Sequence, residues 1–190
     1  MVRPVSSRGV SQRLSDTHMT SPLFPPPLTL LDKYFGQDFQ TLYSTTVTVT
    51  GGEARHGRAS GTVRSDDGQL DLDLRLPEPL GGPGGGTNPE QLFAAAYGAC
   101  FHGALSLLAA KAEIAIVDAK VEVTIDFGRD PVDGLFNLVA QVRVHLPGVE
   151  PGIAEELVRN TERFCPYAKM ARAGIVSVVA LARPNDAAKL

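Results

Sequence analysis

Residues 87–111 read TNPEQLFAAAYGACFHGALSLLAAK, and this stretch predicts a long helix. Asn88 is suited to cap the helix, and Pro89 is suited to its first position, where the missing N–H costs nothing. Gln91 lies three residues after the cap, as in a capping box. The remaining residues are apolar nearly all round, which an exposed helix does not tolerate. We therefore expect this helix to be buried, in part by a second subunit.

From about residue 41 onward the chain shows a second pattern, in which apolar and polar side chains alternate as they do in half-buried strands. Strands are predicted at residues 43–49 and 70–76. Residues 119–146 are predicted to form a hairpin around a turn at Asp133 and Gly134. Residues 176–181 are predicted as a last short strand.

A second helix is predicted to begin near Pro151 and to end before Pro166, because a proline removes a backbone donor. Pro166 is suited to begin a short third helix over residues 167–172, with Cys165 at its N-cap. The helix dipole favours a thiolate there. On the second helix, the side chains predicted to point inward are those of Ile153, Leu157 and Phe164.

Composition and charge exclude several classes of protein. The 190 residues carry a formal net charge of -3, which provides no basic surface for nucleic acid. No window approaches the ~18 apolar residues that cross a bilayer, so no membrane association is expected. The first 40 residues are rich in Ser, Arg and Pro and lack the continuous apolar run of a secretion signal. We expect a cytoplasmic protein in which residues 1–40 are a flexible extension and residues 41–185 are one domain.

Cys100 and Cys165 are the only cysteines, and they suit a disulfide, a redox pair or two buried small side chains. Cys100 falls in the middle of the first predicted helix, where the dipole offers little and apolar surroundings raise the pKa of a thiol. A nucleophilic Cys100 therefore needs a cation from elsewhere in the chain. The candidates are Arg55, Arg58 and Arg64.

Other candidate sites on this part of the chain have simpler explanations. His102 lies two residues after Cys100, which places the two side chains on nearly opposite sides of a helix. Glu90 lies in the first helical turn, where the dipole favours a carboxylate. The histidines and cysteines show no metal-ligand spacing, so no metal is expected. The glycine-rich run at 81–86 lacks the Gly-Lys-Ser/Thr ending of a phosphate loop.

Six segments, taken together in their order and spacing, are similar to a known family. From about residue 42 to residue 182, the chain resembles the OsmC/Ohr family of thiol peroxidases, and specifically its organic hydroperoxide resistance (Ohr) branch. The combination is specific, although no single segment is. The matching segments are Val49–Gly52, Gly57–Arg58, Leu80–Gly82, Gly86–Ala95, Ala99–Phe101 and Cys165–Lys169.

The resemblance implies an α/β (α+β) fold in which two chains form an intertwined homodimer, with antiparallel sheets wrapped around central helices. It implies that Cys100 is the peroxidatic cysteine and that Cys165 is the resolving cysteine. Arg58 matches the arginine that holds the thiolate, and Glu90 matches the carboxylate that orients this arginine. The loop before Arg58 is more charged than the family pattern, which leaves Arg55 as an alternative.

The implied reaction reduces an organic hydroperoxide to an alcohol. Cys100 becomes a sulfenic acid, and Cys165 condenses with it to form a disulfide. An external dithiol, either dihydrolipoamide or a lipoylated protein, is expected to reduce the disulfide, with no bound cofactor. The side chains expected to receive the alkyl or aryl tail are Phe93, Tyr97, Phe101 and Phe164.

Two alternative functions remain open on the same scaffold. A protein of the osmotically inducible OsmC branch would share the chemistry but differ in its regulation. A non-catalytic carrier of hydrophobic ligands would use the two cysteines as a structural disulfide.

Glu90 and Cys100 lie on one predicted helix, about 15 Å apart along its axis at a rise of about 1.5 Å per residue. Glu90 can serve Cys100 of its own chain only if Arg58 bridges a long gap or the helix breaks at Gly98. The simpler hypothesis is that Arg58 and Glu90 act across a dimer interface on the partner's Cys100.

Overall fold

The structure is a computed structural model, and it describes residues 31–53 and 59–182. Most of the predicted N-terminal extension lies outside the described residues, as do Arg55 and Arg58. The elements in chain order are β1 (Val47–Thr50), β2 (Ser60–Ser65), β3 (Asp71–Arg75), a 3₁₀ turn (Glu78–Leu80), α1 (Pro89–Lys111), β4 (Lys120–Arg129), β5 (Phe136–His145), α2 (Pro151–Phe164) and α3 (Pro166–Ala173).

The strands form two antiparallel sheets. One sheet has the order β1-β2-β3, and it places Val63 of β2 between Val49 of β1 and Leu72 of β3. The other sheet consists of β4 and β5, which pair along their whole length. The predicted hairpin and the mixed α/β fold with antiparallel sheets are thereby confirmed, whereas β2 is a strand that the alternation pattern missed.

A close approach between β1 and β2 explains why β2 is hard to recognise in the sequence. Gly61 has a φ of +98°, and a Cβ at this position would overlap the carbonyl oxygen of Thr50. Only glycine tolerates both conditions, although glycine is otherwise disfavoured in strands. The close backbone approach at Gly61 therefore lies within a strand rather than at a turn.

The predicted strand at residues 176–181 is wrong for this chain. The segment has no regular structure, and Val176 and Val179 are 98% and 96% exposed. A strand needs a neighbour that exchanges backbone hydrogen bonds with it, and none of the described strands pairs with this segment. Its apolar side chains therefore find no surface in the described chain to cover them.

The helix α1 begins and ends where the sequence predicts. The side-chain oxygen of Asn88 accepts a hydrogen bond from the Gln91 backbone N–H at 2.9 Å. The Gln91 side chain accepts a hydrogen bond from the Thr87 hydroxyl at 3.0 Å, rather than completing the capping box. The helix then continues without interruption to Lys111, so Gly98 does not break it.

The core of the molecule lies where α1 packs against the β4–β5 hairpin, α2 and α3. One cluster surrounds Phe101 and contains both cysteines, and an adjoining cluster joins Leu105 of α1 to Leu157 of α2. By length and composition alone, α1 is also long and apolar enough to cross a membrane. The prediction that no stretch of the sequence has this length and composition is therefore wrong. The core helix of a globular domain has the same composition, and α1 holds that position here.

Several apolar side chains are more exposed than the sequence predicts. On α2, Leu157 is buried as predicted, but Ile153 and Phe164 are 45% and 38% exposed, so their predicted inward positions are wrong. The strand β4 keeps the predicted alternation, whereas β1 and the first half of β5 are exposed on both faces. The reason is that the described chain places no second layer of structure over these faces.

Candidate active site

The two cysteines lie far apart in sequence but meet in the core. Their Sγ atoms are 3.7 Å apart, and both thiols are free. Cys165 is fully buried and Cys100 is half-buried. A disulfide bond is about 2.05 Å long, so the two sulfur atoms need to approach each other by only about 1.7 Å to bond. This geometry permits a disulfide to form and break with small movements.

A break between two helices, called the elbow below, explains the position of Cys165. The helix α2 ends at Phe164 and α3 begins at Pro166, which leaves Cys165 as the one residue between them. Its N–H donates to the Thr161 carbonyl at 2.8 Å, and its own carbonyl accepts from the Lys169 N–H at 3.0 Å. Cys165 therefore caps both helices, and its predicted place at the N-cap of α3 is confirmed.

The surroundings of Cys100 favour its protonated form. They raise the pKa of the Cys100 thiol from 9.0 to about 11. Burial is the largest cause, followed by the hydrogen bond with Cys165 and the charge of Cys165, while a backbone hydrogen bond with Tyr167 lowers the pKa. The direction agrees with the prediction for a thiol in apolar surroundings. Such a thiol is almost entirely protonated at neutral pH, so a nucleophilic Cys100 needs a cation.

Of the three arginines predicted as a cation for Cys100, the structure describes only Arg64. Arg55 and Arg58 lie outside the described residues. Arg64 lies on β2, where its Nε is 2.9 Å from Oδ1 of Asp71, and its side chain is 68% exposed. Arg64 therefore takes part in an exposed surface ion pair, which does not suit it to stabilise a half-buried thiolate.

Glu90 and His102 are the other polar candidates on α1. Glu90 is half-buried in the first helical turn. Because α1 is unbroken, Glu90 lies about 15 Å from Cys100 along the axis, beyond direct contact. His102 is exposed, and the core cluster that packs around Cys100 does not include it. Among residues 31–53 and 59–182, no group of His, Cys, Asp and Glu side chains could hold a metal ion.

Aromatic side chains surround the cysteine pair. The rings of Phe93 and Phe101 lie 6.1 Å and 6.5 Å from the ring of Tyr97, and all three belong to the core cluster that holds both thiols. A cavity of about 250 Å³ adjoins this cluster, lined in part by Tyr97 and Phe101. Of the four predicted pocket residues, the structure brings these three together, whereas Phe164 lies outside the cluster.

Tyr167 is a member of the site that the sequence did not indicate as a contact residue. Its ring stacks on that of Tyr97 at 6.2 Å, and its backbone reaches Cys100. Burial, and then the charges of Cys165 and Glu162, raise the pKa of Tyr97. The signal for Tyr167 was its place directly after the helix-breaking Pro166, where a backbone N–H has no helical acceptor.

Residues 82–179 match the OsmC-like protein family. The chain belongs to the OsmC/Ohr family. This confirms the resemblance found in the sequence, and the matched range includes Glu90 and both cysteines but begins after Arg58. The family match therefore covers the two cysteines and Glu90 but does not extend to Arg58.

Relatives within the OsmC/Ohr family favour its Ohr branch. The chain is 40% identical over 136 residues to organic hydroperoxide resistance protein-like 2 of Staphylococcus epidermidis, a match that covers 71% of this chain and 92% of the relative. The crystal structure of the organic hydroperoxide resistance protein OhrB of Bacillus subtilis is 38% identical, with a TM-score of 0.60 over 70% of this chain and 93% of that one. The crystal structure of a protein from Psychrobacter arcticus, described as a putative osmotic stress induced and detoxification response protein, is 20% identical, with a TM-score of 0.52 over 72% of this chain and 93% of that one, and it supports the fold alone.

Proposed function

We propose that the chain is a thiol peroxidase that reduces organic hydroperoxides to alcohols. The Cys100 thiolate attacks the terminal peroxide oxygen, the O–O bond breaks, and the alcohol leaves after taking up a proton. Cys100 is then a sulfenic acid, and the peroxide has accepted two electrons. The observation that carries the proposal is the 3.7 Å separation of the Cys100 and Cys165 sulfur atoms.

In this proposal, Arg58 stabilises the Cys100 thiolate and Glu90 orients Arg58. A guanidinium group stays charged at any pH at which proteins are folded, so it stabilises a thiolate without titrating itself. The need for it follows from the Cys100 pKa of about 11 that the described surroundings produce. Glu90 orients the guanidinium group, and the donors of Arg58 also polarise the peroxide.

The substrate is proposed to carry an apolar tail that packs on Phe93, Tyr97 and Phe101. These rings adjoin the thiol pair, so a tail bound there would leave the peroxide group near Cys100. Burial of an alkyl or aryl group then favours an organic hydroperoxide over hydrogen peroxide, which has no tail to bury.

The oxidised pair returns to two thiols by exchange with an external dithiol, for which we propose dihydrolipoamide or a lipoylated protein. A dithiol supplies both electrons and becomes a cyclic disulfide, so the cycle closes without a bound cofactor. Cys165 is fully buried whereas Cys100 is half-buried. The dithiol is therefore expected to attack the sulfur of Cys100, with Cys165 as the leaving thiol. A cytoplasmic location suits a reductant-dependent cycle of this kind.

A homodimer is proposed as the working form. The apolar faces of β1 and the first half of β5 are exposed in the single chain, and so is the apolar segment at residues 176–181. Exposed apolar surface on this scale is typical of an interface between subunits. A second copy of the chain would also provide the neighbour that residues 176–181 need in order to become a strand.

Steady-state peroxidase kinetics test the proposed function directly. Purified protein is mixed with cumene hydroperoxide and dihydrolipoamide, and consumption of the peroxide is followed beside a Cys100→Ser control. We expect turnover by the wild type alone. If the wild type binds apolar hydroperoxides without consuming them, the protein is a carrier and the proposal is wrong.

A further inference from the structure

Pro166 interrupts the helical hydrogen-bond pattern at the elbow, so backbone groups on both sides of the break lack helical partners. In an uninterrupted helix the carbonyl of Glu162 would accept a hydrogen bond from the N–H of residue 166, which a proline lacks. The N–H of Tyr167, at the start of α3, likewise has no helical acceptor. The Tyr167 backbone is directed to Cys100, whose pKa it lowers. The break at which Cys165 lies therefore leaves backbone groups without helical partners on both helices, among them the Glu162 carbonyl at the end of α2 and the Tyr167 N–H at the start of α3.

Arg172 donates hydrogen bonds to the unpaired Glu162 carbonyl at the end of α2. Its Nη1 donates to Oε1 of Glu162 at 2.8 Å, and both Nη atoms lie 3.3 Å from the Glu162 carbonyl oxygen. Arg172 lies near the end of α3 and Glu162 lies near the end of α2, so the contact joins the two helices across the elbow. The Glu162–Arg172 pair is called the elbow strut below.

We propose that Arg172 is a positioning residue for Cys165, because the elbow strut fixes the angle between α2 and α3. Only Cys165 joins these helices, and a change in their angle moves its sulfur relative to Cys100. The inference rests on the proposed function for its chemical step. In that step the Cys165 sulfur attacks the Cys100 sulfenic acid sulfur, the S–O bond breaks, and hydroxide leaves as water with the Cys165 proton.

The elbow strut acts through geometry rather than through charge. Both of its side chains are about half exposed, at 54% for Glu162 and 48% for Arg172, so its Coulomb energy is largely screened. Arg172 is not named among the causes of the Cys100 pKa shift, and at Tyr97 the charges of Glu162 and Arg172 shift the pKa in opposite directions. Loss of the strut should therefore slow disulfide formation without slowing the attack of Cys100 on the peroxide. A misplacement of reacting atoms by about 1 Å can slow a reaction by about 100-fold, so a shift of a fraction of an ångström should slow disulfide formation by about tenfold.

The test separates the two steps in a single turnover. Reduced protein receives one equivalent of cumene hydroperoxide, and samples are quenched over time with dimedone and an alkylating reagent. Mass spectrometry then gives the fractions of thiol, sulfenic acid adduct and disulfide. For Arg172→Met we expect an unchanged rate of thiol loss, about tenfold slower disulfide formation, and accumulation of the dimedone adduct.

Two further variants make the result specific to the strut. Arg172→Lys keeps a donor for the Glu162 carbonyl and should recover most of the rate of disulfide formation. Glu162→Gln keeps the carbonyl as an acceptor and should slow disulfide formation less than Arg172→Met does. The matched control is Glu155→Gln, which removes the exposed pair with Arg159 one turn apart on the same helix and should change neither step.

A second measurement does not depend on peroxide chemistry. In a dithiothreitol redox buffer, the ratio of disulfide to dithiol reports how well the two sulfur atoms are held together, and Arg172→Met should lower it by a similar factor. The proposal is overturned if Arg172→Met leaves both disulfide formation and this ratio unchanged, or slows thiol loss as much as disulfide formation. If the wild type itself forms no sulfenic acid, the proposed function fails and the redox-buffer comparison alone decides on the strut.

Discussion

Replacing Arg58 with alanine should expose the high pKa that the surroundings of Cys100 impose. The described residues raise this pKa to about 11, and at pH 7 only about one thiol in 10⁴ is then ionised. If Arg58 keeps the wild-type thiol ionised at pH 7, the rate of peroxide reduction in Arg58→Ala should fall by about 10⁴-fold at that pH. The rate of the variant should then rise about tenfold per pH unit as the pH approaches 11, because below its pKa a thiol gains about tenfold more thiolate with each pH unit.

The assay is the second-order rate of thiol loss with cumene hydroperoxide, measured from pH 6 to pH 10 for the wild type and the variant. Alkylation of Cys100 by iodoacetamide over the same range gives the pKa without any peroxide. Arg55→Ala is the matched control, because it removes a positive charge three residues earlier in the sequence and should leave the profile unchanged. If Arg58→Ala shows the same pH dependence as the wild type, the reasoning is refuted. If Arg55→Ala shows the shifted pH dependence instead, Arg55 rather than Arg58 stabilises the thiolate.

Three more predictions concern the reaction and its assembly. Cys100→Ser should consume no peroxide, whereas Cys165→Ser should consume about one equivalent and stop as a sulfenic acid. Stopped-flow measurement of peroxide consumption tests this, and a single-turnover burst from Cys100→Ser would show that the two cysteines have the opposite roles. Cumene hydroperoxide should exceed hydrogen peroxide in kcat/KM by tens-fold, because ~100 Å² of buried tail is worth about 2.5 kcal/mol, and equal values would contradict an apolar pocket. Mixed dimers of Cys100→Ser and Arg58→Ala chains should regain one working site if Arg58 acts across the interface, whereas inactive mixed dimers would place the arginine in the same chain.

The helices could be predicted well from the sequence because their signals are local. Asn88 caps α1 through its own side chain, and Pro166 ends α2 and begins α3 because it lacks a backbone donor. Each signal acts within one helical turn and does not depend on the rest of the fold. The predicted positions of Ile153 and Phe164 were wrong because the exposure of a helical face depends on what packs against it.

The strands were harder to predict because a strand requires a partner. Gly61 breaks the apolar alternation of β2 only because the backbone of β1 passes too close for a side chain, and the sequence of β2 does not contain that information. The opposite error occurred at residues 176–181, where the side chains suit a strand but the described chain offers none to pair with. In both cases the presence or absence of a strand depends on what another segment offers, which the strand's own sequence does not contain.

The chemistry at the elbow shows how one residue can determine several features of a site. Pro166 could be recognised from the sequence as a helix breaker, but its consequences depend on what lies opposite the break. In the fold, the break places Cys165 within 3.7 Å of Cys100, directs the Tyr167 backbone to the same thiol, and leaves a carbonyl that Arg172 reaches. In the proposed mechanism the first of these supplies the partner for the Cys100 sulfenic acid, and the second opposes the effect of burial, which raises the pKa of Cys100. Because the backbone of Tyr167 provides only part of the stabilisation that a thiolate needs, the proposed mechanism requires a further cation, and Arg58 is the residue that we propose for this role.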